Sequence, residues 1–571
     1  ASSIVMSPAP WPTCCRWWHC SPTATHAWGG RLSEILDFAI CVPQGGAPES
    51  KFPAADRRHG GSSGGGLRGA DIWGPQDRTG TSWCIEESRV SGESMRGIVG
   101  ASAYVPHWSL DRSEITAVLG SGRGRGRRSV ASFDEDPLTL AVAAGRLALS
   151  GLDGSGRSGV NPIRSLTFAT TAPVYLEKSS APIVHAALAL SDSTATIDVG
   201  PGLRSAAASL RGAFHSTDPV VAVLAGDVRI GLAGSTDELG GGDAGSAIIV
   251  GDATVAPVLA EYVASASVTQ EFLDRWRVPG EVRVRAWEER FGQLRYDELA
   301  TSAWERAIVS AGVDSADVAR VAVSSPNQRA GQALTKQLAA AGVSVADRRD
   351  DTVGFTGAAH PGLLLAELIE QAEPGELVAL VALADGADVT ILRRTDVPCT
   401  GATVADQVEA TMPVSYGRYL TWRGLLAAQP PNRPEPARMS ATAAERRAEW
   451  KYGFVGSRDR TTGAVHLPPA RVSFRGGAVD DMDAEPMAGR RANVATYTVD
   501  SLAYSPSPPV IFAVCDFEGG GRLPVELTDV SASEVSIGME VEMTFRRVST
   551  ADGIANYFWK ARPVPGTGGV S

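Results

Sequence analysis

Cysteine is scarce in most of this chain. Of seven, Cys14, Cys15, Cys20, Cys41 and Cys84 precede residue 95, and only Cys399 and Cys515 stand in the remainder. Two isolated thiols build no disulfide framework, which suits a reducing compartment. No run of eighteen apolar residues occurs, so no membrane span is expected. Net positive charge is missing too: the formal net charge of −11 argues against general nucleic-acid binding. Residues 1–94 also lack any hydrophobic period of 2 or 3.6. Cys14, Cys15 and Cys20 have no second ligand pair at zinc spacing, and no basic start precedes an apolar core, so neither a metal site nor a signal peptide is read there. That stretch is expected to be a disordered or non-native extension, with Met95 opening the organised chain.

What is present from Met95 on is alternation. Apolar runs at 97–105, 165–170, 220–225, 318–324 and 377–384 read as strands, a glycine loop within 240–250 leads into another, and helical patterns at 137–149, 296–311, 328–341 and 362–371 separate them. Two rounds of strand and helix predict a duplicated, layered α/β fold with helices sandwiched between sheets. The organising stretch is Thr196-Ile197-Asp198-Val199-Gly200-Pro201-Gly202, which leads into a helix of very small side chains from Ser205 that is expected to be buried. A strand-to-helix corner aims its residue at a helix N-terminus, where free N–H groups favour an anion or a thiolate. Here that corner carries Pro201 and Gly202, and neither has a reactive group. Asp227 and Asp385 follow strands and suit either pocket carboxylates or loop caps.

Proline punctuation at 430–436 marks a linker. Beyond it, segments at 495–499, 510–516, 522–528 and 539–547 alternate with turns and suit a small barrel.

Gly97-Ile98-Val99-Gly100, Ser132-Phe133-Asp134-Glu135-Asp136, Ala225-Gly226-Asp227-Val228-Arg229, Gly242-Asp243-Ala244-Gly245-Ser246-Ala247 and Phe272-Leu273-Asp274-Arg275-Trp276-Arg277, in that order, resemble the thiolase superfamily, and most closely its 3-hydroxy-3-methylglutaryl-CoA synthase branch. The tail resembles the acyl-CoA-associated family that joins a zinc ribbon to an OB-fold barrel. The resemblance implies a duplicated five-layered thiolase-like fold in two halves (95–265 and 266–395), a linker and helix (396–445), a degenerate ribbon (446–485) and an OB-fold barrel (486–571). It also implies a dimer and a CoA thioester held in a tunnel.

By that resemblance the nucleophilic Cys position holds Pro201, beside Gly202. The Glu acid/base position holds Thr171, the His position Ser324, and a third pocket loop has Phe355 where the family has Asn. Covalent acyl transfer needs a nucleophile that proline does not offer, and neither threonine nor serine replaces a carboxylic acid or an imidazole in proton transfer. These residues are therefore assigned to substrate binding. His360, which opens a helix beside the Phe355 loop, is the candidate for proton transfer, with a helix-terminus contact as the alternative. Tyr175 is the second catalytic candidate, because some thiolase-like aldolases use tyrosine without cysteine; strand-edge packing is its alternative.

In the ribbon, Asp459 and Thr462 stand for one Cys pair and Ser473 and Gly476 for the other. No zinc is expected, and packing through Trp450, Tyr452 and Phe454 is expected to hold the ribbon instead. The combined expectation is a cytoplasmic, dimeric, acyl-CoA-binding protein without metal or further cofactor, acting on a hydroxyacyl-CoA by cysteine-independent carbon–carbon cleavage. Two alternatives stay open: a non-catalytic acyl-CoA-binding scaffold for an acyl-CoA enzyme partner, and an acyltransferase of the synthase type. Neither nucleic acid nor membrane is expected as a partner.

Overall fold

The computed structural model describes residues 96–120, 122, 124–152, 162–477 and 479–564. The readings made on residues 1–94, and on the end of the barrel after residue 564, lie outside the described residues.

The body is built on ten strands: β1 (Gly97–Tyr104), β2 (Ser165–Ala169), β3 (Ala195–Val199), β4 (Val221–Asp227), β5 (Ala244–Gly251), β6 (Ala260–Thr269), β7 (Val318–Ser324), β8 (Ser344–Val345), β9 (Leu377–Leu383) and β10 (Gly386–Arg394). Their order is β8-β7-β9-β10-β6-β1-β5-β4-β2-β3. The first five strands and the second five are arranged identically. In each half the second, third and fourth strands are parallel, and the fifth runs antiparallel between the fourth and the first. Within the sheet the halves are joined where Gly97 and Ile98 pair with Glu261 and Ala260.

Five helices complete the layers: α1 (Pro137–Leu152), α2 (Ser205–Phe214), α3 (Glu289–Ala311), α4 (Gln328–Ala340) and α5 (His360–Gln371). α1 packs outside the first half against β1, β4 and β5, and α3 outside the second against β6 and β10. α5 lies between the halves, touching β1 and β5 on one side and β7 and β9 on the other. Every residue of α5 from His360 to Ile369 is buried, as a helix covered on two faces requires. This is the thiolase-like layered fold.

Two expectations need correction. The second repeat starts at Ala260, so a boundary at 266 cuts through β6; Glu261, Ser265 and Ser267 interrupt the apolar run and hide that strand. α2 is buried on one side only, with Ala208, Arg211 and Gly212 exposed.

A closed barrel follows, built from β11 (Arg491–Asp500), β12 (Val510–Phe517), β13 (Arg522–Leu527), β14 (Glu540–Ala551) and β15 (Ile554–Pro563), in the order β11-β12-β13-β15-β14. Between body and barrel lies a three-stranded ribbon of Val455–Asp459, Val465–His466 and Met482–Pro486. Phe454 is fully buried and packs on Trp450, Phe517 and Trp559 at centroid distances of 5.1, 5.9 and 5.7 Å. Polar contacts also hold the ribbon. The buried Asp459 carboxylate accepts hydrogen bonds from the Thr462 hydroxyl (2.6 Å), the Thr461 amide (2.8 Å) and the Ser473 hydroxyl. One carboxylate thus ties Asp459, Thr462 and Ser473 together.

Barrel and body share one apolar core and one buried ion network. Arg546 of β14 reaches Glu135 (2.6 Å), Asp529 (2.5 Å) and Asp134 (3.4 Å). Lys560 of β15 reaches Asp134 (2.9 Å) and Glu526 (2.5 Å), and the Tyr557 hydroxyl donates to Asp136 (2.7 Å). Burial pushes the Asp134 pKa up, but Lys560 and Arg546 outweigh it and hold it at about 2.

Arg546→Met leaves Glu135 and Asp529 without their cation and Asp134 with Lys560 alone, and is expected to cost about 3–5 kcal/mol, read as a lower urea midpoint of the full chain. The hydroxyl and amide donors hold Asp459 well below the usual carboxylate range. Its contribution is therefore complete above the unfolded pKa of roughly 4 and is lost as pH falls below it. Limited proteolysis across roughly pH 5 to 2 should find the wild-type ribbon loosening, while Asp459→Asn shows no such step.

Candidate functional site

The carboxyl ends of the parallel strands in an α/β sheet are where ligands collect. In the first half, β2 ends at Thr170-Thr171, β3 at Gly200-Pro201 and β4 at Asp227. The Asp227 carboxylate is fully buried and accepts four hydrogen bonds: Thr170 Oγ1 (2.9 Å), Thr171 N (2.8 Å), Thr171 Oγ1 (2.8 Å) and Ala358 N (2.7 Å). Three come from the end of β2 and one from the loop before α5, so this carboxylate joins the two halves. Gly357 is required beside it: its φ is +59°, and a Cβ there would run into the carboxylate.

Thr171 is fully engaged. Its hydroxyl donates to Asp227 and accepts from Arg229 Nη1 at 3.0 Å, and its carbonyl accepts from Arg277 Nη2. Arg229 also pairs with Asp237 at 3.1 Å, and Arg275 approaches the same carboxylate at 3.5 Å.

The corner at Pro201 and Gly202 is exposed. Ser205 Oγ closes it by donating to the Gly200 carbonyl (2.6 Å). Arg204, at the start of α2, grips Asp388 through Nε (2.6 Å) and Nη2 (3.1 Å) and donates to Ser267 Oγ (2.8 Å). Ser267, Asp388, Ala382 and Ser324 stand in one row across β6, β10, β9 and β7. The clamp therefore sets the corner at the same end of the second half as the buried Ser324.

Phe355 is buried. Its amide donates to Gly240 O (2.8 Å), its carbonyl accepts from Gly242 N (3.1 Å), and its ring lies 4.9 Å from that of His360.

Four comparisons bear on this geometry. The profile of the C-terminal OB-fold domain of ChsH2 matches residues 484–546. The hydroxymethylglutaryl-CoA synthase of Pyrobaculum aerophilum is 25% identical over 367 residues, covering 58% of this chain and 98% of that protein. A DUF35 domain-containing scaffold protein of Methanocaldococcus jannaschii is 27% identical over 119 residues, 20% of this chain and 84% of its own length. Among solved structures, OleA of Xanthomonas campestris aligns with a TM-score of 0.46 at 17% identity, covering 52% of this chain and 98% of that one. The chain joins a synthase-like body of thiolase-like fold to a C-terminal OB-fold domain.

Within the synthase-like body, the elements carrying Thr171, Pro201, Gly202, Ser324 and Phe355 converge on the ends of the parallel strands. His360 joins them through Phe355. It is fully buried, and burial, reinforced by the charge of Arg348, lowers its pKa to about 3. A base that weak is neutral near pH 7 and is poorly matched to proton transfer there. Tyr175 is drawn elsewhere: its hydroxyl accepts from Ala555 N of β15 (2.9 Å), and its ring packs on the shared core. It belongs to the seam between body and barrel.

Arginines to which the sequence assigned no role line the site: Arg204, Arg229 and Arg277. Their signal was weak, because a lone arginine in a loop reads as a solvated charge until its partners are known.

The imidazole of His360 should show no titration between roughly pH 5 and 8 by nitrogen NMR of histidine-labelled protein. A step near the ordinary histidine value would place the ring in solvent.

Proposed function

We propose that this chain is an acyl-CoA-binding scaffold, in which the synthase-like body holds a CoA thioester and the fused barrel is a fixed second module presented to an acyl-CoA enzyme partner. The observation that carries this reading is the state of Thr171. At the position that the resemblance gives to the acid/base carboxyl, its hydroxyl is already committed as donor to Asp227 and as acceptor from Arg229. The neighbouring corner offers Pro201, which has no group to carry an acyl chain. Carbon–carbon cleavage is the weaker reading, because His360 is held neutral and the Tyr175 hydroxyl is engaged by the barrel. Acyl transfer of the synthase type needs a nucleophile at the corner, and Pro201 is none.

The working unit is a homodimer in the cytoplasm. Its support is an edge of the sheet: among the described residues β3 pairs only with β2, and Ala195, Ile197 and Asp198 on it are exposed, with Ile197 at 58%. An open edge strand with an apolar side chain is a template for pairing with another copy. Among the described residues, no helix is long and apolar enough to cross a membrane, and the reading needs none.

Valeryl-CoA titrated into the full chain should bind with a Kd of about micromolar order, near −8 kcal/mol. After hours of incubation the thioester should be recovered intact, with no acyl mass added to the protein. Trapping of an acyl adduct, or release of a carbonyl product from a hydroxyacyl-CoA, would overturn the scaffold reading.

A further inference from the structure

The ribbon and the barrel meet along a cleft of about 550 Å³. That volume is in the range of small-molecule sites, which favour the joints between modules. One wall is the ribbon strand Val465–His466 with Leu467, and the other is Phe517 at the end of β12 with the turn after it. Gly520 and Gly521 in that turn have φ of +105° and +98°. A Cβ at Gly521 would meet Leu467 at 2.8 Å and Val465 at 3.1 Å, so only glycine lets the turn lie this close to the ribbon.

Three side chains of the ribbon wall are joined in a row. His466 is 6% exposed, and its Nε2 makes no hydrogen bond to another described residue. Phe474 lies edge to face with that imidazole at 4.6 Å, yet it is 69% exposed. The guanidinium carbon of Arg475 is 6.0 Å from the centre of the Phe474 ring. All three line the cleft.

Charge in the cleft is unbalanced. Arg458, Arg460 and Arg471 of the ribbon pair with Glu485, Asp483 and Asp480 at 2.8, 2.7 and 2.6 Å. Arg522 and Asp516, which also line the cleft, pair with each other at 2.5 Å. Arg475 has no carboxylate partner among the described residues. An uncompensated guanidinium matches the planar fork of a carboxylate, and an imidazole N–H can donate to the same group. A bare phenyl ring offers its face or edge to a second flat ring.

We infer that the cleft between ribbon and barrel is a binding site for an aromatic monocarboxylate, whose ring lies against Phe474 and whose carboxylate pairs with Arg475 and accepts a hydrogen bond from His466 Nε2. The site stands apart from the acyl-CoA reading, because its residues belong to the ribbon and barrel and none to the strand-end cluster of the body.

The test is titration of the full chain with 2-naphthoate, followed by ligand-observed NMR, beside its neutral isostere 2-naphthamide and the aliphatic acid decanoate. 2-Naphthoate should bind with a Kd of about submillimolar order, and about fivefold more tightly than either comparator. Arg475→Gln should bring 2-naphthoate to the level of 2-naphthamide and leave 2-naphthamide within about twofold. Phe474→Leu should weaken both naphthalene ligands about threefold and leave decanoate unchanged. Nitrogen NMR of histidine-labelled protein should show the His466 signal moving with 2-naphthoate, and valeryl-CoA should not displace that ligand.

Equal binding of 2-naphthoate and 2-naphthamide, or an unchanged preference in Arg475→Gln, overturns the inference. So does decanoate bound as tightly as 2-naphthoate, or no binding of any probe. Displacement by valeryl-CoA would make the cleft part of the CoA site and also overturn it. Both substituted side chains are exposed, so the Tm of each variant should match that of wild type. A loss of more than about 5 °C in Arg475→Gln would give the arginine a structural role instead.

Discussion

The buried carboxylate of Asp227 holds the end of β2 and the loop before α5 in one place, although the two belong to different repeats. It sits at the carboxyl end of a fully buried strand, where a charge survives only if every lone pair is met. Four donors meet it, and Arg229, hydrogen-bonded to Thr171, adds a cation nearby. The geometry of the whole strand-end cluster follows from this arrangement. Thr171 is committed because Asp227 needs its hydroxyl, Gly357 is required because the carboxylate fills the space of a side chain, and Phe355 and His360 are set by the loop that Ala358 anchors.

The duplication of the body was legible because it is written in periodicity. Apolar runs bounded by glycine and separated by helical patterns placed most of the strands of both repeats within a residue or two, and Val318–Ser324 was read to the residue. β6 escaped because its small and polar residues break the apolar run, and with it went the true start of the second repeat. The barrel was legible as short strands between turns, without its fifth, β15. What no local pattern announces is pairing at a distance. Ser132-Phe133-Asp134-Glu135-Asp136 was read as a family feature, yet its carboxylates meet Arg546, Lys560 and Tyr557 of the barrel.

The candidate site was legible in part. Thr171, Ser324 and Phe355 were placed by the family resemblance and Pro201 by the strand-to-helix corner as well; Thr171, Pro201 and Ser324 follow or end parallel strands, and Phe355 lies in the loop before α5. Roles that depend on surroundings were not legible. His360 looks like an ordinary imidazole until its burial and the nearby Arg348 are seen. Tyr175 looks available until the Ala555 amide is found on its oxygen. In the ribbon, the knot that the Asp459 carboxylate ties could not be read, because Asp459 gathers its donors only after the chain has turned back on itself.

The seam between body and barrel bears on how the chain is made. Asp134 and Arg546 are 412 positions apart, and at about 5–20 residues per second a ribosome needs on the order of twenty to eighty seconds to deliver the arginine after the aspartate. Throughout that interval three neighbouring acids and an unfinished apolar face wait without their counterpart. The growing polypeptide therefore carries an open, negatively charged surface until its last strands emerge.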